Sequence, residues 1–455
     1  MRRGRVWMWL GGAFSAALVC ALVLPALSSG APFPPEPTAR RLNGLTLVTA
    51  SAKGVKANGE STLPSLSADG TQVAFLSSAT NLDPVDPDNL PDVYYKDLAS
   101  GVVRLVTVRQ DGAKANGESA SPSLSADGTR VTFVSTSTNL DPADSDSLPD
   151  AYVKNLETGK LTLASIGNDG QKADAGSEHP ALSADGSRVA FTSRARNLDP
   201  SDHDDVADVY VKDLETGKLT LASTSSAGRK ADVDSISPAL SGDGRTVVFA
   251  TAATTLDSND RPGVFDVYAK NLESGDVTLV SAAGGGIGPS DESREPAVSS
   301  DGKVVAFTAG AIPSNSDDTA IANVFTRNLA TGRVTLVSAP GDGTKANGSS
   351  GDPTICANGT VVAFATSATN LAPDDHTGFR PDVIVKDLAS GVFAATGGVA
   401  PGTPVMASGG PSGTPAVSED GRTVAFVSSA TSLAPTDTDR LADIYVVRWR
   451  SSCGS

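Results

Sequence analysis

Short segments with apolar side chains at every second position follow one another along most of the chain. In TRVTFVS, residues 129–135, Val131 and Phe133 fall on one face of an extended strand, because successive side chains point to opposite faces. DAYVKNL at 150–156 and KLTLAS at 160–165 read as further strands, separated by Gly, Asp, Pro and Ser. No helical periodicity accompanies them, so the pattern predicts an all-β protein.

This strand pattern repeats seven times. The stretch LSADG recurs in related forms, and its fourth residue marks each repeat: Asp69, Asp127, Asp185, Asp243, Asp301, Asn358 and Asp420, which lie 57 to 62 residues apart. A proline always stands five residues before the marker, a glycine one residue after it and a phenylalanine six residues after it. Repetition of one supersecondary unit indicates that each unit buries its faces against its neighbours.

Each repeat reads as four antiparallel strands, a to d. The Asp-Gly pair predicts a two-residue turn between strands a and b, and a Thr-Gly or Ser-Gly pair predicts a tight turn between c and d. Long loops join b to c and d to the next a. Seven such units predict a seven-bladed β-propeller with four-stranded antiparallel blades, whose recurrent Phe and Val residues form the core between blades.

The two ends of the repeat region complement each other. The seventh repeat stops after its strand c, ADIYVVRW at 442–449, and the missing strand d matches GLTLVTA at 44–50. We therefore predict that the N-terminal strand completes the last blade, so that residues 44–449 form one closed ring.

The repeat resembles the WD40-like PD40 repeats of TolB-type β-propellers. The likeness rests on x-P-x-L-S-x-D-G-x-x-V-A-F-x-S followed by D-V-Y-V-K-D-L-x-x-G, over residues 44–449. Among these proteins, the repeat pattern is most similar to that of exported bacterial propellers. The resemblance implies the propeller fold, but it implies no single function, because propellers serve as enzymes, scaffolds and receptors.

The N-terminus indicates export. Arg2, Arg3 and Arg5 precede an apolar run at 6–27, and small residues follow, with Ala31 as the expected cleavage position. We predict a signal peptide at 1–31, a linker at 32–43, the propeller at 44–449 and a tail at 450–455. An uncleaved membrane anchor is the competing interpretation, since the run is long enough to span a bilayer. Both place the propeller outside the cytoplasm, secreted or in the cell envelope.

The composition limits the classes of binding partner that are expected. The net charge of -16 is spread along the chain, which argues against nucleic acid. Contact with a membrane is expected only through the N-terminal segment, and we expect a monomer. Of the three cysteines, Cys20 lies in the predicted signal, and Cys356 and Cys453 fall in different repeats, so no disulfide framework is predicted.

The b–c loops carry aspartates with the spacing D-x-D-x-x-x-D. The pattern is complete in four repeats, at Asp86, Asp88, Asp92; Asp144, Asp146, Asp150; Asp202, Asp204, Asp208; and Asp437, Asp439, Asp443. Carboxylates at alternating loop positions suit Ca²⁺, so these twelve residues are candidate metal ligands and Ca²⁺ is the candidate cofactor. The alternative is a solvated turn, because Asp favours turns and keeps an exported surface soluble.

Other charged residues accompany these loops. Lysines recur in the d–a loops at Lys56, Lys114, Lys172, Lys230 and Lys345, where weak surface ion pairs are expected. Three histidines, His179, His203 and His376, fall on the side of the long loops. The first two belong to one repeat and leave a zinc site with Asp202 and Asp204 open as an alternative.

These features favour an exported binding or scaffold protein that recognises an envelope or extracellular protein or glycan through its long-loop face. The alternative is a secreted hydrolase or lyase acting on polysaccharide or peptide. No catalytic motif such as G-x-S-x-G is present, no catalytic residue is assigned, and the sequence does not favour an enzyme. An enzyme should break the symmetry of the ring, and repeats five and six depart most from the pattern.

Overall fold

A computed structural model gives the structure of the chain. It describes residues 42–258, 263–282, 292–310, 321–340, 344, 346–371, 381–395 and 412–449. The chain divides into two units, Met1–Thr38 and Ala39–Ser455, and every described residue lies in the second. Within these ranges, no helix is long and apolar enough to cross a membrane. The predicted signal peptide, the tail, Cys20, Cys453, His376 and Lys345 lie outside them.

The described residues form seven four-stranded antiparallel sheets and no helices. Their strands are β1 Leu42–Leu47, β2 Ser61–Leu66, β3 Gln72–Ser77, β4 Asp92–Asp97, β5 Val103–Leu105, β6 Ser119–Leu124, β7 Arg130–Ser135, β8 Asp150–Asn155, β9 Leu161–Leu163, β10 Ser177–Leu182, β11 Arg188–Ser193, β12 Asp208–Asp213, β13 Leu219–Leu221, β14 Ser235–Leu240, β15 Thr246–Thr251, β16 Asp266–Asn271, β17 Val277–Leu279, β18 Ser293–Val298, β19 Val304–Ala309, β20 Asn323–Asn328, β21 Val334–Leu336, β22 Ser350–Ile355, β23 Val361–Thr366, β24 Asp382–Asp387, β25 Phe393–Ala395, β26 Ser412–Val417, β27 Thr423–Ser428 and β28 Asp443–Trp449.

Six blades follow chain order, from β2–β5 as blade one to β22–β25 as blade six. Blade seven has the order β26-β27-β28-β1, in which β1 pairs antiparallel with β28 and Leu47 lies opposite Tyr445. The prediction that the N-terminal strand completes the last blade is confirmed. The strand begins at Leu42, two residues before the predicted start, and the fold is a seven-bladed β-propeller.

The inner strands meet around the ring axis. The strand-a ends of neighbouring blades are joined by backbone hydrogen bonds, such as Ala68 N to Ala126 O at 2.8 Å and Ala126 N to Ala184 O at 2.8 Å. The series continues through every blade and closes with Asp420 N donating to Ala68 O at 3.1 Å. We call the end of the ring that carries the a–b and c–d turns the turn face, and the opposite end the long-loop face.

The turn between strands a and b is longer than the sequence indicated. Ser67 N donates to Gln72 O at 3.0 Å, so Ser67 and Gln72 are the last backbone pair and a four-residue loop, 68–71, lies between them. Asp69 accepts hydrogen bonds from Thr71 N at 3.0 Å and Ser67 Oγ at 2.8 Å, and Gly70 takes φ +64°. The expected two-residue turn is therefore wrong, because the Asp side chain organises a wider loop.

Aromatic pairs fill the space between blades. Phe75 of β3 stacks on Tyr94 of β4 with ring centroids 5.7 Å apart, and both are fully buried. They pack in one cluster with Ile444 and Ala425 of blade seven, so the core spans the joint between the last and first blades. The predicted role of the recurrent Phe and Val residues as inter-blade core is confirmed.

Buried cations add a second link between blades. Lys96 of β4 donates to the backbone oxygens of Val48 at 2.6 Å and Ala50 at 2.7 Å in the segment that follows β1. Burial lowers the pKa of Lys96 to about 8. Blade seven has Val447 at the equivalent position, so this contact has no counterpart there.

Candidate functional site

The acidic b–c loops begin with a turn built by aspartate. In blade one, Asp83 Oδ1 accepts from Val85 N at 2.9 Å and Asp83 O accepts from Asp86 N at 3.1 Å. This turn directs the Asp86 side chain inward, beneath the loop. The third aspartate, Asp92, is the first residue of β4, so its position is set by the sheet.

In blade one, the three carboxylates converge on a lysine. Lys114 Nζ lies 3.5 Å from Asp86, 2.9 Å from Asp88 and 2.8 Å from Asp92. Asp86 and Asp92 are fully buried, whereas the Asp88 side chain is 43% exposed. Lys114 comes from the d–a loop that leaves the same blade and is itself 11% exposed. We call each such group of three aspartates and one lysine an acidic node.

Hydroxyl groups satisfy the remaining oxygens of the node. Tyr94 of β4 donates to Asp86 Oδ2, and Thr107 Oγ1 donates to Asp92 Oδ1 at 2.6 Å. Behind Lys114, Asn139 of blade two donates to the Lys114 carbonyl oxygen at 2.9 Å. The node therefore joins the b–c loop of one blade to the connection that leads into the next blade.

The same arrangement occurs four times among the described residues. The nodes are Asp86, Asp88, Asp92 with Lys114; Asp144, Asp146, Asp150 with Lys172; Asp202, Asp204, Asp208 with Lys230; and Asp437, Asp439, Asp443 with Lys56. In the last of these, Lys56 follows the N-terminal strand and lies 2.8 Å from Asp443, so this ion pair also fastens the closure of the ring. All twelve predicted residues are thus brought together in threes.

Each node carries more negative than positive charge, because one ammonium contacts three carboxylates. Burial lowers the pKa of Lys114, but its hydrogen bonds and charge interactions with the aspartates outweigh burial and raise that pKa above the usual value. Burial raises the pKa of Asp92 to about 6 against the pull of Lys114, and Asp208 behaves in the same way. Each carboxylate has only a share of one cation and stays beside two other acids.

The arrangement of the carboxylate oxygens in each node suits a bound cation, either an ammonium group or a metal ion. In each node, one oxygen from every aspartate lies within 4.8 Å of the others, which is close enough to hold a metal ion. The lysine ammonium is the cation that these oxygens contact, and a metal ion would have to displace it. The solvated-turn alternative does not describe these loops, since two of the three acids are buried. For Lys56, Lys114, Lys172 and Lys230, the expectation that these ion pairs lie at the surface is wrong for the same reason.

Blades four to six lack a complete node within the described residues. Ser281 Oγ donates to Asp266 at 2.5 Å in blade four, and Ser338 Oγ donates to Asn323 at 3.0 Å in blade five. The strand-c position therefore keeps its hydroxyl partner even where the acid is replaced by an amide. Asp260, Asp317, Asp374 and Asp375 lie outside the described residues.

A second set of side chains, most of them polar, lines the central channel near the long-loop face. The third residue of every strand a has a positive φ of 42° to 54° at a bulge where the pairing with strand b shifts. These residues are Leu63, Ser121, His179, Ser237, Glu295, Asp352 and Thr414. Non-glycine residues seldom adopt this conformation, and here all seven blades hold one.

Acids occupy this channel position in blades five and six only. Glu295 Oε2 accepts from Asp352 N at 2.9 Å and from Thr308 Oγ1 at 2.7 Å, so Glu295 reaches across to the neighbouring blade. Burial within the channel and, second to it, the negative charge of Glu295 together raise the pKa of Asp352 to about 6. No basic side chain stands at this position except His179 in blade three.

The histidines do not join the acidic nodes. His179 is exposed in the channel position of blade three, whereas His203 is exposed in the b–c loop next to Asp202 and Asp204. Among the described residues, no group of potential metal ligands includes a histidine. The zinc alternative has no support from the placement of these two side chains.

Sequence reasoning passed over Glu295 and Asp352, although it named blades five and six as the place to look. A signal was present, because both residues stand six positions before the repeat marker, where the other blades carry Leu, Ser, His or Thr. What was missing was the knowledge that this position faces the channel.

Comparison with known proteins supports the fold. No family model matches the chain, and no curated protein matches its sequence. An oligogalacturonate lyase in complex with manganese is similar in structure, with 12% identity over 91% of this chain and 99% of the other and a TM-score of 0.52. The β-propeller domain of the trilobed protease from Pyrococcus furiosus gives 13% identity, 87% and 95% coverage and a TM-score of 0.51.

TolB from Acinetobacter baumannii is 18% identical over 71% of this chain, which spans 63% of the TolB chain, with a TM-score of 0.42. Identities this low show the fold alone and carry no activity across. The propeller fold that the likeness to TolB-type repeats implied is confirmed, and the chain is a seven-bladed β-propeller similar in structure to the lyase and to the protease propeller domain.

Proposed function

We propose that this protein is an extracytoplasmic binding protein whose ligand, an envelope or extracellular protein or glycan, presents a cationic group to the mouth of the central channel. The observation that carries the proposal is the acid pair Glu295 and Asp352. These residues place carboxylates at a ring of strand-a positions near the long-loop face where the other five blades carry none.

The energetic cost of this pair supports a role in binding. The raised pKa of Asp352 expresses burial first and the repulsion of the neighbouring Glu295 carboxylate second, although both side chains are exposed to the channel solvent. The rest of the ring carries small or neutral residues at this position, which would serve the fold equally well. Groups that oppose stability in a cleft are typical of sites where a ligand supplies the missing charge.

The site is reached from the long-loop face. The turn face is drawn together by the closed series of backbone hydrogen bonds, and Ser300 Oγ donates to Glu419 Oε1 at 2.6 Å between turns two blades apart. The long b–c and d–a loops surround the other end, where they can contribute specificity as loops of a rigid scaffold commonly do. Export of the propeller rests on the N-terminal segment, with its basic residues and apolar run.

Site-directed cross-linking tests this proposal. A photoreactive amino acid replaces Leu63 in the channel ring of blade one, and the protein is irradiated with an envelope fraction of the source organism. We expect a defined adduct that is lost when Glu295→Gln and Asp352→Asn are introduced together. The same photoreactive residue at Glu215, exposed on the turn face in the c–d turn of blade three, is the matched control and should not give that adduct. An adduct that persists in the double variant would refute the channel site.

The acidic nodes have a supporting part in this proposal. We propose that their lysines make Ca²⁺ unnecessary for folding, since the ammonium already contacts all three carboxylates. A thermal melt with and without EGTA, read beside metal analysis, tests this. A bound metal in the purified protein together with a lower melting temperature in EGTA would restore calcium as the stabilising ion.

The lyase or hydrolase alternative makes a different prediction for the same acids. An enzyme using Glu295 or Asp352 should degrade polygalacturonate, other polysaccharides or peptides, and the double variant should lose that activity. A binding protein should retain its ligand without turning it over. Product formation that depends on these two acids would replace the binding proposal with the enzymatic one.

A further inference from the structure

On the turn face, a cavity of about 280 Å³ opens between blades one and two. Its acidic wall consists of Asp97 at the end of β4, Asp127 in the a–b loop of blade two and Glu157 in the c–d turn of blade two. Arg104 is the one basic side chain that lines it, so three carboxylates face one guanidinium. Tyr95, Val102 and Leu156 add an apolar part to the wall.

The equivalent joints between other blades indicate which chemical group fits this cavity. At the first residue of strand b, blade one has Gln72, whereas blades two and three have Arg130 and Arg188. Arg188 Nη1 donates to Gly244 O of the next blade at 3.0 Å, and its Nε lies 3.5 Å from Asp213. Arg130 donates in the same way to Gly186 O. In two neighbouring joints, therefore, a guanidinium donates to the glycine carbonyl of the next a–b turn, and in one of them it also contacts the aspartate at the end of strand c.

The joint between blades one and two keeps the partners of that guanidinium but lacks the arginine. Asp97 corresponds to Asp213, and Gly128 corresponds to Gly244. Gln72 is too short and carries no charge, and its Oε1 is buried against Gly128 without a hydrogen-bond partner. Hydrogen bonds from Ser100 to Asp97 lower the pKa of that carboxyl, which keeps it ionised at neutral pH.

We propose that this cavity binds the guanidinium group of an arginine side chain from a peptide segment of a partner. The planar group can pair with the Asp97 carboxylate and reach the Gly128 carbonyl, as Arg188 does with Asp213 and Gly244. Its methylene groups pack on Val102 and Leu156, and the Tyr95 ring provides a face for the cation. The site is on the turn face and is independent of the channel proposal.

Calorimetric titration with a blocked Gly-Arg-Gly peptide tests the site, with the Gly-citrulline-Gly peptide as the uncharged analogue of the same shape. We expect the arginine peptide to bind and the citrulline peptide to bind at least about tenfold more weakly. Amide chemical shifts of Gly128 and Thr129 should change on addition of the arginine peptide. Equal affinity for both peptides, or no binding of either, would overturn the proposal.

Three variants locate the binding. Gln72→Arg supplies the missing guanidinium from within the chain and should abolish peptide binding while raising the melting temperature. Asp97→Asn should weaken binding by about tenfold without filling the cavity, which keeps the test decisive if Gln72→Arg fails to fold. Asp213→Asn is the matched control, since Arg188 already occupies that joint, and it should leave affinity unchanged. Binding that survives both Gln72→Arg and Asp97→Asn would contradict the assignment.

Discussion

Replacing Lys114 with methionine removes the ammonium group of the blade-one node but keeps a side chain of similar length. At an effective dielectric constant of about 20, each Lys–Asp contact at 2.8–3.5 Å contributes about 5 to 6 kcal/mol of attraction. The three carboxylates, with oxygens within 4.8 Å of one another, repel each other by about 3.5 kcal/mol or more per pair. At most about 6 kcal/mol of net attraction remains before the cost of removing the charges from water.

Breaking a buried ion pair by removing one partner typically costs about 3–5 kcal/mol, because the other charge is left unpaired. Asp86 and Asp92 are fully buried, so we expect Lys114→Met to lower the free energy of unfolding by this amount. For a ring of this length, the unfolding entropy is about 0.9 kcal/mol per kelvin, so the melting temperature should fall by about 4 to 6 °C if the ring unfolds as one unit.

Differential scanning calorimetry or a circular-dichroism melt measures the change. The matched control is Lys160→Met, at an exposed lysine in the c–d turn of blade two, which should change the melting temperature little. Adding Asp92→Asn to Lys114→Met should recover part of the loss, since it removes one uncompensated charge. Added Ca²⁺ should also stabilise the Lys114→Met protein, where the carboxylates have lost their own cation.

A change no larger than that of the control would refute the reasoning. It would mean that water or rearranged carboxylates replace the ammonium at little cost, and that the node is not a structural ion-pair network. A loss of stability that Asp92→Asn increases would also contradict it, because the remaining acids would then not be the source of the destabilisation.

Three further predictions follow from the structure. A chain beginning at Ala57 should have a lower melting temperature and should associate through the exposed edge of β28. Lys56→Met in the full chain should lower the melting temperature by only part of that amount, because it leaves β1 paired. Asp352→Asn should leave the melting temperature unchanged below about pH 4 and raise it increasingly up to about pH 6, since the folded-state pKa is about 6 against 3.8 for an unperturbed aspartate; channel water reduces the gain to about 1 kcal/mol. Cys356 is a buried free thiol at a position where the other blades have serine, so it should react with a thiol reagent only after unfolding, and Cys356→Ser should leave the melting temperature within about 1 °C.

Much of the fold could be read from the sequence, because its physical causes are local or periodic. The alternation around Val131 and Phe133 determines a strand with one buried face, and seven occurrences of the same unit determine how many blades must pack on one another. The absence of a strand d after strand c at 442–449, together with the unmatched strand near 44–50, was sufficient to predict how the ring closes.

The candidate sites depended on distances that no spacing along the chain reveals. The sequence by itself determined that Asp86, Asp88 and Asp92 recur with Lys114 twenty-odd residues later, but only the tertiary structure decided that the loop brings the ammonium beneath the acids and buries two of them. In the same way, Glu295 and Asp352 are 57 residues apart in sequence, and the packing of blade six on blade five places them side by side in the channel. Burial and the proximity of charges arise only when the blades assemble. They make the expected surface ion pair of Lys114 a buried, structural one, and they bring Glu295 and Asp352 close enough to affect each other's charge.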